Sequence, residues 1–414
     1  MRKCIPWIMM GLALVLTFTQ KPFADEDLKS YTIMHPDRET RLRWMEAYRT
    51  APRAYIDKEL EFRTSFRGSL SLLSHLNYIP SERNQSQCGN CWAWAGTGAM
   101  GIALDVEESI FDRLSVQFIS SCNTAKNCCD GGWLRDFASF YTAKDYTIPW
   151  SNTNANWQNG DGNCNVVCET ISTSSKYNIT SIEAQTINTQ AVGQAQAIAN
   201  IKNILNQSRA VWFGFFMGTA EDWDDFRSFW NTQAESVLWN FDDTCGKPYD
   251  PVDGGGHAVL CVGYNDDDPD NSYWIMLNSW GAETERPNGL FRLDMDMNYA
   301  CADSTGDYSL YWQTLGIEFD IGGEVIYVDP SGSCGGNTPC YTTIQAAVNA
   351  ASTGITIKIL QGSYSENVSL STSKQVTLSG GWNSSYTSQA SISYASSLTR
   401  SKGTFIVKRV GIQR

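Results

Sequence analysis

The chain has 414 residues, of which 42% are hydrophobic and 18% charged, and its formal net charge is −13 at pH 7. This length is enough for two to three domains with a full core. The acidity argues against nucleic acid or an anionic membrane as a partner, and it suits a protein that must stay soluble outside the cell.

The N-terminus has the pattern of a secretory signal. A basic start at residues 1–3 precedes an apolar run over 5–18, and the small residue Ala24 precedes Asp25. We predict a signal peptide at 1–24 and a secreted protein, extracellular or periplasmic. The apolar run is short for a membrane span, and no later run is longer, so we expect no span after signal removal.

Residues 25–60 are charged, with a helix candidate at 38–48. One interpretation is a solvated N-terminal extension. The other is a short propeptide that folds over a cleft, which the position directly after a signal favours.

The stretch 85–96 organises the main body. Cys88 and Cys91 lie three residues apart, Gln85 precedes them, and small or apolar residues follow Trp92. This pattern predicts a buried helix that begins at Cys91, where the partial positive charge of a helix N-terminus favours a thiolate. A zinc pair, a redox pair and two structural cysteines are alternatives that the stretch alone does not separate.

The body at 61–320 is predicted to be α+β. Its first half is rich in helix, and its second half holds strand candidates at 211–216, 257–264, 272–277 and 289–293. A cleft between the two halves is the natural place for a site. Gly131 and Gly132 would let another backbone approach closely, although an ordinary turn is an alternative.

From about 325 the composition shifts to Ser, Thr, Gly and Asn. A short helix is predicted at 342–351, followed by alternating apolar segments at 355–360, 368–370 and 376–378. Short strands at close spacing predict one or two stacked coils of a β-solenoid over 325–414, with a small β-sandwich as the alternative.

The chain has 13 cysteines. Cys4 is lost with the signal peptide, and Cys261 lies in an apolar run that predicts a buried strand. If Cys91 is reactive, an even number remains, compatible with disulfides in an oxidising compartment. We expect no metal and no cofactor, because the dense group contains no histidine; its members are Cys122, Cys128, Cys129, Cys164 and Cys168.

A nucleophilic cysteine needs a base, and histidine is the usual one. The chain has three histidines, at 35, 75 and 257, and only His257 follows Cys91. It comes after three glycines, at the start of a predicted strand. Asn278 stands at the end of a later strand, where its side chain can accept a hydrogen bond from the imidazole and fix its tautomer.

Two further residues fit this chemistry. Trp280 could shield the bond between the imidazole and Asn278 from water. The Gln85 side-chain amide can join the Cys91 backbone N–H to hold an oxyanion.

On these residues the chain resembles the papain-like cysteine proteases over about 61–320. Four blocks occur in the family's order: 85–92, Cys122 with 129–132, 256–264, and 278–281 with 288–293. Asn90, Trp94, Ala95 and Ser86 depart from the usual pattern, and His257 and Asn278 lie further downstream than is typical, which implies insertions.

The resemblance implies a two-lobed papain-like fold, with a helical lobe and a β-barrel-like lobe, and hydrolysis of proteins or peptides through a thioester. It implies Cys91 as nucleophile, His257 as base and acid, Asn278 as orienter and Gln85 as oxyanion donor. Gly131, Gly132 and Trp280 would contact substrate.

The resemblance also implies disulfides. These are Cys88–Cys129, Cys122 with Cys164 or Cys168, Cys245–Cys301, and a bond from Cys128 to whichever of Cys164 and Cys168 is left. Cys334–Cys340 would be local to the C-terminal module.

Residues 325–414 resemble, more weakly, the start of a pectin-lyase-type parallel β-helix, which implies carbohydrate or a cell surface as a partner. For the whole chain, two other functions stay open. One is a different Cys-His acyl-transfer enzyme, such as a transpeptidase or a cell-wall amidase; the other is an inactive binding protein on the same fold.

Overall fold

A computed structural model describes residues 31–60, 67–320, 325–352, 354–389 and 391–413. The predicted signal peptide, with Cys4 and Ala24, lies outside these residues. Among the residues described, none of the helices combines the length and apolar character that a membrane span needs.

Helices dominate the first half of the body. The central one, α2, is buried along most of its length because small residues let neighbours approach: a Cβ on Gly96 would meet the Phe137 ring at 2.6 Å, and one on Gly98 would meet Leu260 at 2.7 Å. The α-helices are α1 Arg38–Thr50, α2 Cys91–Glu108, α3 Val116–Cys122, α4 Leu134–Lys144, α5 Gln194–Asn206, α6 Ala220–Thr232 and α7 Ile344–Ala350.

The strands of the body form one nine-stranded sheet, most of it from the second half of the body. Its strands are β1 Ser69–Ser71, β2 Tyr146–Thr147, β3 Tyr177–Thr186, β4 Val211–Met217, β5 Leu238–Trp239, β6 Gly255–Asn265, β7 Tyr273–Leu277, β8 Leu290–Asp294 and β9 Leu310–Asp320. The strand order is β2-β3-β9-β4-β6-β7-β8-β5, and β1 pairs with β6. All pairs are antiparallel except β5 with β8.

This architecture confirms the predicted α+β class. The strands expected at 211–216, 257–264, 272–277 and 289–293 are β4, β6, β7 and β8. The helix α2 packs against β6, and the Ala258 backbone N–H near the start of β6 bonds to the Cys91 thiol at the first residue of α2.

Disulfide bonds are present, as expected for an oxidising compartment. The structure pairs Cys122 with Cys168 and Cys128 with Cys164, which resolves the alternatives left open by the sequence. The remaining bonds are Cys88–Cys129, Cys245–Cys301 and Cys334–Cys340. Cys91 and Cys261 are the free cysteines of the described part of the chain, and both are buried.

The helix α1 packs on the body instead of extending into solvent. Trp44 is buried and stacks on Trp133 and Phe216, with ring centroids 5.6 and 6.3 Å apart. A buried ion pair joins Arg41 to Asp303 at 2.7 Å.

The C-terminal residues form two parallel sheets of a β-solenoid. One has the order β11-β10-β12-β14-β16 and the other β13-β15-β17. The strands are β10 Val325–Val328, β11 Cys340–Tyr341, β12 Ile355–Leu360, β13 Gly362–Leu370, β14 Gln375–Trp382, β15 Ser393–Arg400, β16 Thr404–Lys408 and β17 Val410–Ile412.

The expectation of at most two coils was wrong. Strands β12 with β13, β14 with β15, and β16 with β17 make three coils. The third was missed because its strands are short and become strands through parallel pairing with β14 and β15. The module contacts the body where Gln375 Nε2 donates to Ser109 Oγ at 2.8 Å and Lys408 pairs with Glu108 at 3.4 Å.

Candidate active site

Cys91 is the first residue of α2 and is fully buried. Burial raises the pKa of its thiol to about 12, against the opposing effect of backbone N–H groups, of which that of Ala258 is the largest. Ala258 directly follows His257 in β6. The thiol at the helix N-terminus therefore lies beside the start of β6, across the junction of the two halves.

His257 is fully buried, and its Nε2 is 2.8 Å from Asn278 Oδ1. Because an amide oxygen only accepts, we assign the proton to Nε2, and Nδ1 is then a bare acceptor. Within the described residues Nδ1 has no hydrogen-bond partner. Burial lowers the pKa of His257 to about 4, partly opposed by the bond to Asn278. Trp280 covers the imidazole, with ring centroids 4.8 Å apart.

Gln85 joins this cluster through both ends of its side-chain amide. Its Oε1 accepts from Ser279 Oγ at 2.7 Å, which fixes the orientation of the amide. Its Nε2 donates to the carbonyl oxygens of Cys88 at 3.0 Å and Thr32 at 2.9 Å. The amide N–H that faces the cleft is thus bound to a carbonyl from the N-terminal segment.

Arg83 was not singled out from the sequence, although it connects the two walls of the site. It is buried, its Nε donates to the Asn278 carbonyl, and an Nη donates to the Trp94 carbonyl, both at 3.0 Å. Burial lowers its pKa to about 9. In the sequence Arg83 is a lone arginine six residues before Gly89, and no pattern around it predicts that it joins the two walls of the site.

The segment 31–34 covers the site. The Tyr31 ring is stacked on Trp280, with centroids 4.6 Å apart. Met34 exchanges two backbone hydrogen bonds of 2.8 Å with Gly256, and its sulfur accepts from the Gly132 N–H at 3.5 Å. A Cβ on Gly131 would meet the Met34 side chain at 3.1 Å, so the glycine pair gives this side chain its room.

The contacts of segment 31–34 define the direction in which its chain runs through the cleft. Tyr31 lies at Trp280, the Thr32 carbonyl lies at Gln85, and Met34 lies at Gly131 and Gly132. The sequence favours a propeptide over a cleft for residues 25–60, but the particular contacts of segment 31–34 could not be foreseen, because they depend on a sheet formed far downstream.

The seven residues predicted for catalysis and substrate contact thus meet at one place. The disulfide Cys88–Cys129 braces it, since it ties the turn before α2 to the glycine pair. A possible metal group of the described residues consists of Cys88, Cys128 and Cys129, and each of these sulfurs is already in a disulfide.

The pKa of His257 predicts a pH-dependent stability. A neutral buried imidazole contributes fully above its ordinary pKa of 6.5, and the contribution is lost as the pH falls through about 4. We expect this group to remove about 3 kcal/mol of unfolding free energy over that window. Urea unfolding at pH 7 and at pH 4 measures the change, which should shrink in His257→Gln. Equal changes in the wild type and in His257→Gln would contradict the assignment.

Comparison with known proteins places these residues in a family. The family model described as "Papain family cysteine protease" matches residues 73–309. A cathepsin B-like CP3 of Giardia intestinalis is 27% identical over 225 residues, which cover 52% of this chain and 64% of that protein. The cysteine endopeptidase RepA of Oryza sativa subsp. japonica is 28% identical over 206 residues, or 50% of this chain and 46% of that protein.

The aligned region therefore spans about half to two thirds of the length of these relatives. Among solved structures, the procathepsin L2 proteinase from Tenebrio molitor larval midgut is similar with a TM-score of 0.46 and 19% identity, covering 70% of this chain and 80% of that chain.

Proposed function

The chain belongs to the papain family of cysteine proteases, and from this premise we propose that it is a secreted cysteine endopeptidase that acts through Cys91, His257 and Asn278. The observation that carries the proposal is the buried pair of His257 and Asn278. Their 2.8 Å bond leaves Nδ1 of His257 without a hydrogen-bond partner among the described residues, and the backbone N–H of the next residue, Ala258, bonds to the Cys91 thiol.

In the proposed reaction, His257 Nδ1 takes the thiol proton and the Cys91 sulfur attacks the peptide carbonyl carbon. The oxyanion accepts hydrogen bonds from Gln85 Nε2 and the Cys91 N–H. The C–N bond then breaks as His257 protonates the leaving amine, and a thioester remains. Water, deprotonated by His257, attacks the thioester and releases the acid and the free thiol.

The contact between Thr32 and Gln85 supports this role of the amide. The Thr32 carbonyl oxygen accepts from Gln85 Nε2 at 2.9 Å, so this amide N–H can bind a carbonyl oxygen of a chain that lies in the cleft. Asn278 would hold the imidazole in the required tautomer, and Trp280 would keep water from that bond.

We also propose that this chain is a latent form and that residues 25–60 are a propeptide, followed by a peptidase domain over 61–320. Segment 31–34 runs from Trp280 to the glycine pair. If the glycine pair holds the acyl side of a substrate, as β-like pairing suggests, a substrate would run the opposite way. The segment can therefore fill the cleft without presenting a cleavable bond.

Two other functions remain candidates for the same site. A transpeptidase or cell-wall amidase would use the same acyl transfer, but the glycine pair and Trp280 favour an extended peptide over a small donor. A binding protein without activity would not need the three reactive side chains. A carbohydrate or cell-surface partner for the C-terminal module stays a prediction, as does secretion through residues 1–24.

A thiol-directed epoxide tests the proposal directly. After the N-terminal segment is removed by an added protease, we expect the probe to label one cysteine, identified by mass spectrometry as Cys91. Labelling should be lost in Cys91→Ala and strongly slowed in His257→Ala, because the thiol then has no base. Equal labelling of wild type and His257→Ala would contradict the assigned pair.

A further inference from the structure

The Tyr31 side chain occupies a pocket that the catalytic proposal does not use. It is only 5% exposed, and its ring lies parallel to that of Trp280, at an angle of 5°. Its hydroxyl donates to Glu283 Oε1 at 2.5 Å, and Asn231 Oδ1 is 3.4 Å away. The Trp230 indole lies beside the same hydroxyl, and its N–H has no hydrogen-bond partner among the described residues. We call this set of four side chains the Tyr31 pocket.

The walls of the Tyr31 pocket are held by the body and not by Tyr31. Arg286 is fully buried and donates to the carbonyls of Phe229 and Trp230, each at 3.0 Å. Arg286 also exchanges two backbone hydrogen bonds with Glu283, of 3.2 and 2.9 Å. Arg286 therefore holds the end of α6 through its guanidinium and the loop that carries the carboxylate through its backbone, so the pocket is preorganised.

The order of these contacts along the cleft indicates which part of a substrate would meet the Tyr31 pocket. Met34 lies at Gly131 and Gly132, where the proposed function puts the acyl side, and Thr32 lies at Gln85, beside the reacting carbonyl. Tyr31 lies one residue further, at Trp280. The Tyr31 pocket is consequently on the leaving-group side of the scissile bond.

We propose that the Tyr31 pocket, once the N-terminal segment has left, selects substrates with tyrosine directly after the scissile bond, and that Glu283 is the specificity-determining residue. The inference rests on the proposed peptidase function. A phenol matches the pocket because it can donate to the Glu283 carboxylate, as the Tyr31 hydroxyl does. Phenylalanine cannot form this bond, and a guanidinium carries no acceptor for the unpaired indole N–H of Trp230.

A binding experiment tests the pocket without catalysis. In the full chain, Tyr31→Gly vacates the pocket while the rest of the segment stays in place. Saturation-transfer NMR should find that p-cresol binds about ten-fold more tightly than toluene, because a hydrogen bond to a charged group is lost in the latter. The preference for p-cresol should vanish in the double variant Tyr31→Gly, Glu283→Ala. It should persist in the charge-matched control Tyr31→Gly, Glu285→Ala, because the Glu285 side chain is exposed. Equal binding of the two ligands would overturn the inference.

Kinetics of the processed enzyme give the second measurement, which does not depend on the folding of a Tyr31 variant. Peptides identical except for Tyr, Phe or Arg after the scissile bond should show kcat/KM about ten-fold higher for Tyr than for Phe. Glu283→Ala should remove this ratio, and Glu285→Ala should keep it. Equal rates for Tyr and Phe, or a preference for Arg, would overturn the inference and leave the proposed function intact. If none of the three peptides were cleaved, this would count against the proposed function. The comparison of p-cresol with toluene would still test whether the Tyr31 pocket prefers a phenol.

Discussion

Replacing Cys91 with alanine is expected to reduce peptide hydrolysis to background, a loss of about 10⁵-fold in kcat, because no other group can form the thioester. The wild type and the variant should first be treated with the same added protease, so that both lose the N-terminal segment. Hydrolysis of a fluorogenic peptide then measures the effect. The five disulfide pairs should form in both proteins, since none involves Cys91.

Cys261 supplies a matched control for this experiment. It too is free and fully buried, and burial raises its pKa to about 12 as it does for Cys91. Its sulfur bonds to the Gly263 carbonyl within β6, and no hydrogen bond joins it to a histidine of the described residues. Cys261→Ala should therefore keep activity close to wild type. Cys91→Ala activity as high as that of Cys261→Ala and the wild type would rule out Cys91 as the nucleophile.

Replacing Trp44 with alanine in the full chain is expected to make the Cys91 thiol more accessible to reagents. Trp44 is the largest buried side chain of α1, and truncating a buried tryptophan costs about 3–5 kcal/mol. The lost contacts are those between α1 and the rings of Trp133 and Phe216, so the loss weakens docking of the segment. The rate of Cys91 labelling by the epoxide should rise roughly 100-fold or more.

Leu42 is the control on the same helix, since its side chain is 44% exposed. Leu42→Ala should label at nearly the wild-type rate, because little packing is lost. A Trp44→Ala protein that labels no faster than wild type would show that α1 does not hold the segment over the site, and the propeptide interpretation would fail for this helix.

Local chemistry explains what the sequence could predict. The helix at Cys91 followed from a run of small apolar residues, and β4, β6, β7 and β8 followed from apolar segments of strand length. The residues of the candidate site were found because each carries a chemical requirement: a thiol needs a base, the base needs an orienter, and an oxyanion needs a donor. None of these inferences required a distance.

Other features were decided only by the fold. The choice between Cys164 and Cys168 for Cys122 depended on which sulfur the loop brings near α3. The third solenoid coil depended on pairing with strands already in place. Arg83 and Glu283 have no signal in sequence, because their roles come from buried carbonyls and a hydroxyl contributed by distant segments. By itself the sequence determined which groups could react, since reactivity belongs to the residue type. Only the tertiary structure decided that the N-terminal segment covers these groups, because burial depends on every segment that packs around a group.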